Sequence, residues 1–322
     1  MKTIKKANFF ENVIGQARAL MNLSLRLNGY KSSSHAPHIL FSGNAGQGKT
    51  FLAEATARAI HKIEKEKGNS KPMIVINASA VKNLKEFVED YLIPQVEGKR
   101  VTVFIDECHE LPKKVVTALL TILQPNDRRK NSYKYLGYDL EFDFTMQTFI
   151  FATTELHRMF APLRDRLTKI DLEDYSHDEL AQIITLGVGK NITFKKDILR
   201  KVAESIRQNG RSAQKVSGDI RDYVEMEEKS VFEDADWKLL SESLDILPLG
   251  LERSEVKLLT VLENATEASA TMLQNRLGTT LPILRDMERY LTRMGLLKID
   301  GSRSITKEGK EYLDNLRAAG RL

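Results

Sequence analysis

Residues 38–50 read HILFSGNAGQGKT, and this stretch decides the fold. HILFS (38–42) is a short apolar run closed by a glycine-rich turn, the pattern of a buried strand. The next eight residues, Gly43, Asn44, Ala45, Gly46, Gln47, Gly48, Lys49 and Thr50, fit GxxxxGK[ST] in full. From Thr50 onward, Phe51, Leu52, Ala55, Ala59, Ile60 and Ile63 fall at helical spacing. Glycines between a strand and a helix let backbone N–H groups converge on phosphate oxygens at the positive helix end. Lys49 is then expected to reach the β- and γ-phosphates of ATP, and the Thr50 hydroxyl to ligate Mg²⁺. The plain alternative is a glycine-rich turn before a helix, and the strand–loop–helix context weighs against it.

The second signal lies 56 residues after Thr50. VTVFIDE (101–107) ends an apolar strand on two carboxylates, and ligands of parallel sheets bind at the carboxyl ends of strands. Asp106 is expected to hold Mg²⁺, directly or through water, and Glu107 to orient and polarise the attacking water. An acidic strand end is common by itself; with the phosphate loop it becomes specific.

MIVIN (73–77) and TFIFATT (148–154) add two more apolar strands. A helix runs between MIVIN and VTVFID through Leu84, Phe87, Val88 and Tyr91, ended by Pro94. Strands alternating with helices in this way predict a parallel sheet with helices on both faces. An insert, QPNDRRKNSYKYLGYDLEFDFTMQ (124–147), alternates in character in its second half and reads as a β-hairpin. After Asp171 the pattern is helical to about residue 248. The last segment has helices near 253–263, 269–277 and 281–294, with Pro282 in a first turn where proline is tolerated. LLKI (296–299), a GSRS turn and Ile305 then suggest two small strands before a final helix from Lys307. The expected architecture is an α/β P-loop core (1–172), an all-α helical lid (173–248) and a C-terminal winged helix (249–322).

Composition narrows the class. The 322 residues are 42% apolar and 29% charged, ordinary for a globular protein with more than one domain. No run approaches the roughly eighteen apolar residues of a membrane-spanning helix, and MKTIKKANFFENVIG lacks the apolar core of a signal peptide. A cytoplasmic protein without a membrane partner is expected. The single cysteine, Cys108, excludes an internal disulfide, and the six histidines show no metal-ligand spacing. A net charge of +5 permits a polyanion partner without requiring one, since 49 basic residues face 44 acidic ones.

Taken in order, these motifs resemble the AAA+ ATPases. FATT (151–154) resembles that family's sensor 1, which implies that Thr154, more than Thr153, lies near the γ-phosphate and attacking water. PLRDRL (162–167) resembles its arginine-finger segment; position matching favours Arg166 over Arg164, completing a neighbouring subunit's ATP site. Among AAA+ proteins the chain is most similar to the RuvB family of Holliday-junction branch-migration motors, over roughly residues 9–316. FENVIGQ (10–16) looks like the entry segment near the adenine, which carries Ile14, and RSAQKVSGDIRDY (211–223) like the sensor 2 helix, with Arg211 as the sensor. The resemblance implies a homo-oligomeric ring, a hexamer, and a RuvA-like junction-binding protein docked through the insert. The sequence also departs from the family. Its phosphate loop has NAGQ in place of two prolines, a glycine and a small apolar residue, DECH replaces DEIH, and the basic insert is not the family's hairpin sequence.

The resemblance makes the winged helix a surface for duplex or branched DNA. Arg285, Arg289 and Arg293 recur every four residues and so share one helix face, suited to phosphates. Lys298 and Arg303 lie in the wing, with Arg303 expected at the turn tip as the leading contact. A solvated charged face is the plain alternative. Two rival functions stay open: a replication initiator or helicase or clamp loader using ATP as a switch, and a scaffold that binds ATP and a protein without DNA.

Overall fold

In the computed structural model, which describes residues 9–11, 13–33, 35–195, 197–265 and 267–322, HILFS forms β1 (Ile39–Ser42), every residue of it buried. It follows α1 (Ala17–Ser33) and leads through the glycine-rich turn into α2 (Lys49–Glu66). Within FENVIGQ, Asn12 lies outside the described residues. β2 (Met73–Asn77), β3 (Val101–Asp106), β6 (Gln147–Thr153) and β7 (Thr168–Asp171) join β1 in a five-stranded parallel sheet of order β2-β3-β6-β1-β7. β3 shows why the sheet is covered on both faces. Val103 and Ile105 enter one apolar layer, while Phe104 points the other way against Leu23, Phe41, Leu52 and Ala53. Such strands read as near-continuous apolar runs because neither face meets water.

Two features differ from expectation. β7, TKID, was not singled out, since four residues with only Ile170 buried carry almost no apolar signal. Pro94 does not end its helix. After a short α3 (Leu84–Glu86) the chain continues as a π-helix, Phe87–Val96, with Pro94 inside it. Proline breaks an α-helix through its ring and the carbonyl four residues back; here that carbonyl, on Asp90, accepts the Gln95 side chain instead at 2.9 Å.

α4 (Lys113–Ile122) leads into the insert, an antiparallel hairpin of β4 (Lys130–Tyr135) and β5 (Tyr138–Asp143). Leu136 and Gly137 both take positive φ in its two-residue turn, the geometry that matches strand twist. Leu140 and Phe142 anchor the hairpin in the core, while Leu136 and Tyr138 are exposed at its tip. A short α5 (Ala161–Arg164) precedes β7.

By its contacts the chain divides into two units, one of residues up to Thr193 with Gln208–Val231, the other of Phe194–Arg207 with Phe232–Leu322. The helices after residue 172 are shared between them. α6 (His177–Val188) and α8 (Gly210–Met226) pack together in the first unit, and α7 (Ile198–Glu204) and α9 (Asp234–Ser243) lie in the second. Two-residue strands β8 (Thr193–Phe194) and β9 (Val231–Phe232) stand where the chain leaves the first unit. α6 starts on a capping box from Ser176 and Glu179, satisfying two otherwise orphaned N–H groups.

The second unit ends in α10 (Arg253–Ala265), α11 (Ala270–Leu277), α12 (Leu281–Arg293), the antiparallel pair β10 (Leu297–Asp300) and β11 (Ser302–Ile305), and α13 (Lys307–Ala318). This is the expected winged helix. Leu259, Leu262, Leu273, Leu284, Leu291 and Leu313 form its core. The expected place of Arg303 is corrected: the tip is Asp300–Gly301–Ser302, and Arg303 sits within β11 opposite Ile299.

Candidate functional site

The phosphate loop, Gly43–Gly48, hangs between the carboxyl end of β1 and the start of α2. Gly46 and Gly48 take φ of +80° and +89°, a region that side-chain-bearing residues rarely enter. Gly48 is the N-cap of α2, so the first N–H groups of an 18-residue helix face the loop. Lys49 is buried, and its Nζ donates to the carbonyls of Gly43 and Asn44 at 2.8 and 2.9 Å. Burial lowers the pKa of this amine, Glu107 and Asp106 pull it up, and Arg211 pushes it down again. Arg211, exposed in the first turn of α8, therefore lies within electrostatic reach of the loop. A backbone bond from Gly210 N–H to the Gly46 carbonyl, 2.8 Å, joins that turn to the loop.

Sheet order brings the carboxylates to the same place. β3 is separated from β1 by β6 alone, so Asp106 reaches across to the Thr50 hydroxyl, which donates to its Oδ2 at 3.1 Å. Glu107 follows in left-handed backbone, φ +47°, which turns its side chain toward β6. Its Oε2 accepts from the Thr154 N–H at 3.2 Å and the Thr154 hydroxyl at 2.9 Å. Thr153 instead turns inward, its hydroxyl 3.0 Å from His109 Nδ1. Lys49, Thr50, Asp106, Glu107 and Thr154 thus converge from one loop and two strand ends.

The arrangement fits a nucleotide with a hard cation. A hydroxyl and a carboxylate oxygen meeting beside the loop are the protein share of a Mg²⁺ site, whose other ligands are phosphate and water oxygens. Among the described residues no group of three or more acidic, histidine or cysteine side chains is placed to hold a metal ion by itself.

The remaining candidates fall into place less uniformly. Ile14 is half-buried, next to Gly15, which is packed against Tyr175 and Glu179. Phe51 is exposed on α2. Arg166 donates to the Pro162 carbonyl at 2.6 Å within its own turn, with its Nε buried and unpaired. Arg164 lines an open cleft of about 470 Å³ with Gly43, Asn44, Thr154 and Asp171. In the winged helix Arg285, Arg289 and Arg293 are all exposed; Arg289 lies 3.6 Å from Asp286, and Arg293 rests over the Tyr290 ring. Lys298 pairs with Asp300 at 3.4 Å. Arg303 bonds Glu288 at 2.8 Å, both side chains largely buried.

Two neighbours of the site escaped sequence reasoning. His109 has a side chain only 5% exposed and sits 3.4 Å from Glu107, 3.2 Å from Glu110 and 3.6 Å from Glu155, while Arg158 bridges Glu110 and Glu155. Its only signal is its place two residues beyond Glu107. Tyr175, its hydroxyl 3.3 Å from the Gln47 carbonyl, lay hidden in a segment that reads as a polar junction. Cys108 packs against Met159, and burial raises its pKa, so it stays a neutral thiol.

Known proteins resemble this chain in sequence and in fold. The family described as "ATPase family associated with various cellular activities (AAA)" matches residues 39–174, from β1 to the residue before Tyr175. The "Holliday junction branch migration complex subunit RuvB" of Wolbachia sp. subsp. Drosophila simulans is 28% identical, over 94% of this chain and 92% of its own. The protein of that name from Mycoplasma genitalium is 26% identical, over 97% and 98%. In fold, the chain superposes on the Thermotoga maritima RuvB Holliday junction branch migration motor with a TM-score of 0.76 and 23% identity, covering 96% of this chain and 98% of that one. Residues 39–174 thus match the AAA ATPase family, and the chain resembles RuvB over nearly its full length.

Proposed function

We propose that this chain hydrolyses ATP with Mg²⁺ and couples turnover to movement of duplex DNA, at Holliday junctions or similarly branched structures. The observation that supports it most is the convergence of Lys49, Thr50, Asp106, Glu107 and Thr154 at one loop, in a chain resembling RuvB throughout. Loop N–H groups and Lys49 hold the phosphates, with Gly43 to Phe51 lining the cradle and Ile14 beside the base. Thr50 and Asp106 hold Mg²⁺, which neutralises charge on the phosphate oxygens. Glu107 orients the attacking water and accepts its proton, released for this from Thr154, which turns to the γ-phosphate. Arg211 reads the nucleotide from α8, and Arg166 reaches the site of the next subunit in a hexameric ring.

In this reading residues 1–172 are the ATPase domain, 173–248 the lid and 249–322 the DNA-binding winged helix. Arg285, Arg289, Arg293 and Lys298 contact DNA phosphates, with Arg303 behind them in the wing, and the hairpin within 124–147 docks a RuvA-like protein. The chain acts in the cytoplasm; no helix among its described residues is long and apolar enough to cross a membrane.

The test is ATP-driven dissociation of a synthetic four-way junction, with and without a RuvA-type partner, against Lys49→Ala. Junction-specific processing that needs Lys49 is the expected result. Retained ATP and DNA binding with no processing in either condition would instead indicate a loader or initiator.

A further inference from the structure

Gln47 is the residue of the phosphate loop whose side chain leaves the loop. It is 3% exposed, and its carboxamide runs beneath the loop to donate to Asp174 Oδ1 at 2.7 Å. On the way it passes so close to Gly43 that a Cβ there would stand 2.1 Å from Gln47 Oε1 and 3.2 Å from the Leu172 Cβ. The Oε1 atom is buried without a hydrogen-bond partner. The backbone carbonyl of the same residue faces the Tyr175 hydroxyl at 3.3 Å and Gln16 Nε2 at 3.5 Å. Gln47 thus touches the first glycine of the loop and two residues of the link between β7 and α6, Asp174 and Tyr175.

Burying a carboxamide with its oxygen unpaired is unfavourable, and an apolar side chain of similar size avoids that cost. What the glutamine adds is the single bond to Asp174. We infer that Gln47 is a positioning residue for nucleotide binding: through Asp174 it ties the phosphate loop to the β7–α6 link and holds the loop in its binding shape. This rests on the nucleotide-site reading above. A loop already ordered loses less freedom when it closes on phosphates, so its ligand binds more tightly. Lys49 bonds Gly43 and Asn44, and Thr154 bonds Glu107, while the Gln47 side chain bonds Asp174, so the effect falls on affinity more than on turnover.

Asp174 is exposed, so replacing it does not threaten the core. The experiment measures ATP KM and kcat, and the dissociation constant of fluorescent methylanthraniloyl-ADP, for the full chain. Its variants are Asp174→Ala, Asp174→Asn, Gln47→Leu and the double variant Gln47→Leu/Asp174→Ala. Asp174→Ala should raise KM and the ADP dissociation constant by about three- to tenfold, a larger factor than its loss of kcat. Asp174→Asn keeps an acceptor oxygen and should stay within about twofold of the parent. The double variant should lose less affinity than the product of the two single losses, because both single variants remove the same Gln47–Asp174 bond. Equal effects of alanine and asparagine, effects that multiply in the double variant, or no shift in affinity would each overturn the inference. A parent chain that binds no ADP would overturn the nucleotide-site reading itself, which is a separate outcome.

Discussion

The two ends of the central sheet are built from nearly the same side chains. At the carboxyl ends of the strands stand Lys49, Thr50, Thr154, Asp106 and Glu107. At the amino ends stand Lys71, Thr148, Tyr30, Glu64 and Arg100. Lys71 is fully buried, its Nζ donating to Thr148 Oγ1 at 2.8 Å and lying 3.4 Å from the Tyr30 hydroxyl. Glu64, equally buried, is met by Arg100 at 2.9 Å and Lys67 at 3.4 Å. At the first end the groups are aimed at a loop of glycines, and Thr50 is exposed. At the second they are aimed at one another and sealed by α1 and α2. Residue type therefore does not make a site; the difference is whether the backbone leaves room for a ligand among the charges.

The largest effect should come from the open end. Lys49→Ala is expected to lower ATP hydrolysis by about 10²–10³-fold, while the thermal midpoint stays within a few degrees of the parent. A large drop in melting temperature would break the comparison by making Lys49 a structural residue.

The sealed end should answer in stability and not in turnover. Burial pulls the pKa of Lys71 from an ordinary 10.5 down to about 7; Glu64 opposes the shift, while Arg100 and Lys67 add to it. Between those values the unfolded chain binds the proton and the folded chain does not, so this group makes unfolding free energy climb with pH across the window. Below pH 7 the amine is charged in both states, and the cost of burying it is felt in full. Lys71→Met should therefore stabilise the chain by about 1–4 kcal/mol at neutral pH and flatten the rise toward pH 10. Denaturant unfolding at several pH values measures both. A destabilised variant with an unchanged slope would show that the cluster holds the fold as a set of ion pairs.

The winged helix offers the same contrast on a smaller scale. Arg303→Ala strips a largely buried Glu288 of its partner and should cost about 2 kcal/mol, less than a fully enclosed pair because some water reaches both groups. Arg289→Ala, on the exposed face of α12, should change stability by less than about 0.5 kcal/mol. Thermal unfolding of the two variants side by side would sharpen the distinction, and equal losses would erase it.

The same contrast sets what could be read from the sequence. GNAGQGKT and VTVFIDE announce themselves because a phosphate cradle needs glycines and a strand-end carboxylate at fixed places. The winged helix was legible from the apolar spacing of α10 to α12 and two short strands. The buried cluster was not, because Tyr30, Glu64, Lys71, Arg100 and Thr148 come from five places along the chain and form no pattern. His109 and Tyr175 were missed for a related reason: their roles depend on what β6 and the loop place beside them. Arg303 illustrates the limit at a single position. Its charge was visible, but Glu288, 15 residues earlier in α12, decides where the guanidinium points.

The order of the two units along the chain has a consequence for biosynthesis. The first unit is left at Thr193 and regained at Gln208, with α7 of the second unit made in between. Because translation proceeds from the amino terminus, β1 and the phosphate loop leave the ribosome long before α8, whose Gly210 holds the Gly46 carbonyl. A nascent chain stopped at residue 193 would carry every strand of the central sheet and the whole glycine-rich loop, yet lack that anchor. Such a chain would hold the loop through Asp174 and Tyr175 and gain the Gly210 bond to the Gly46 carbonyl only when α8 is made.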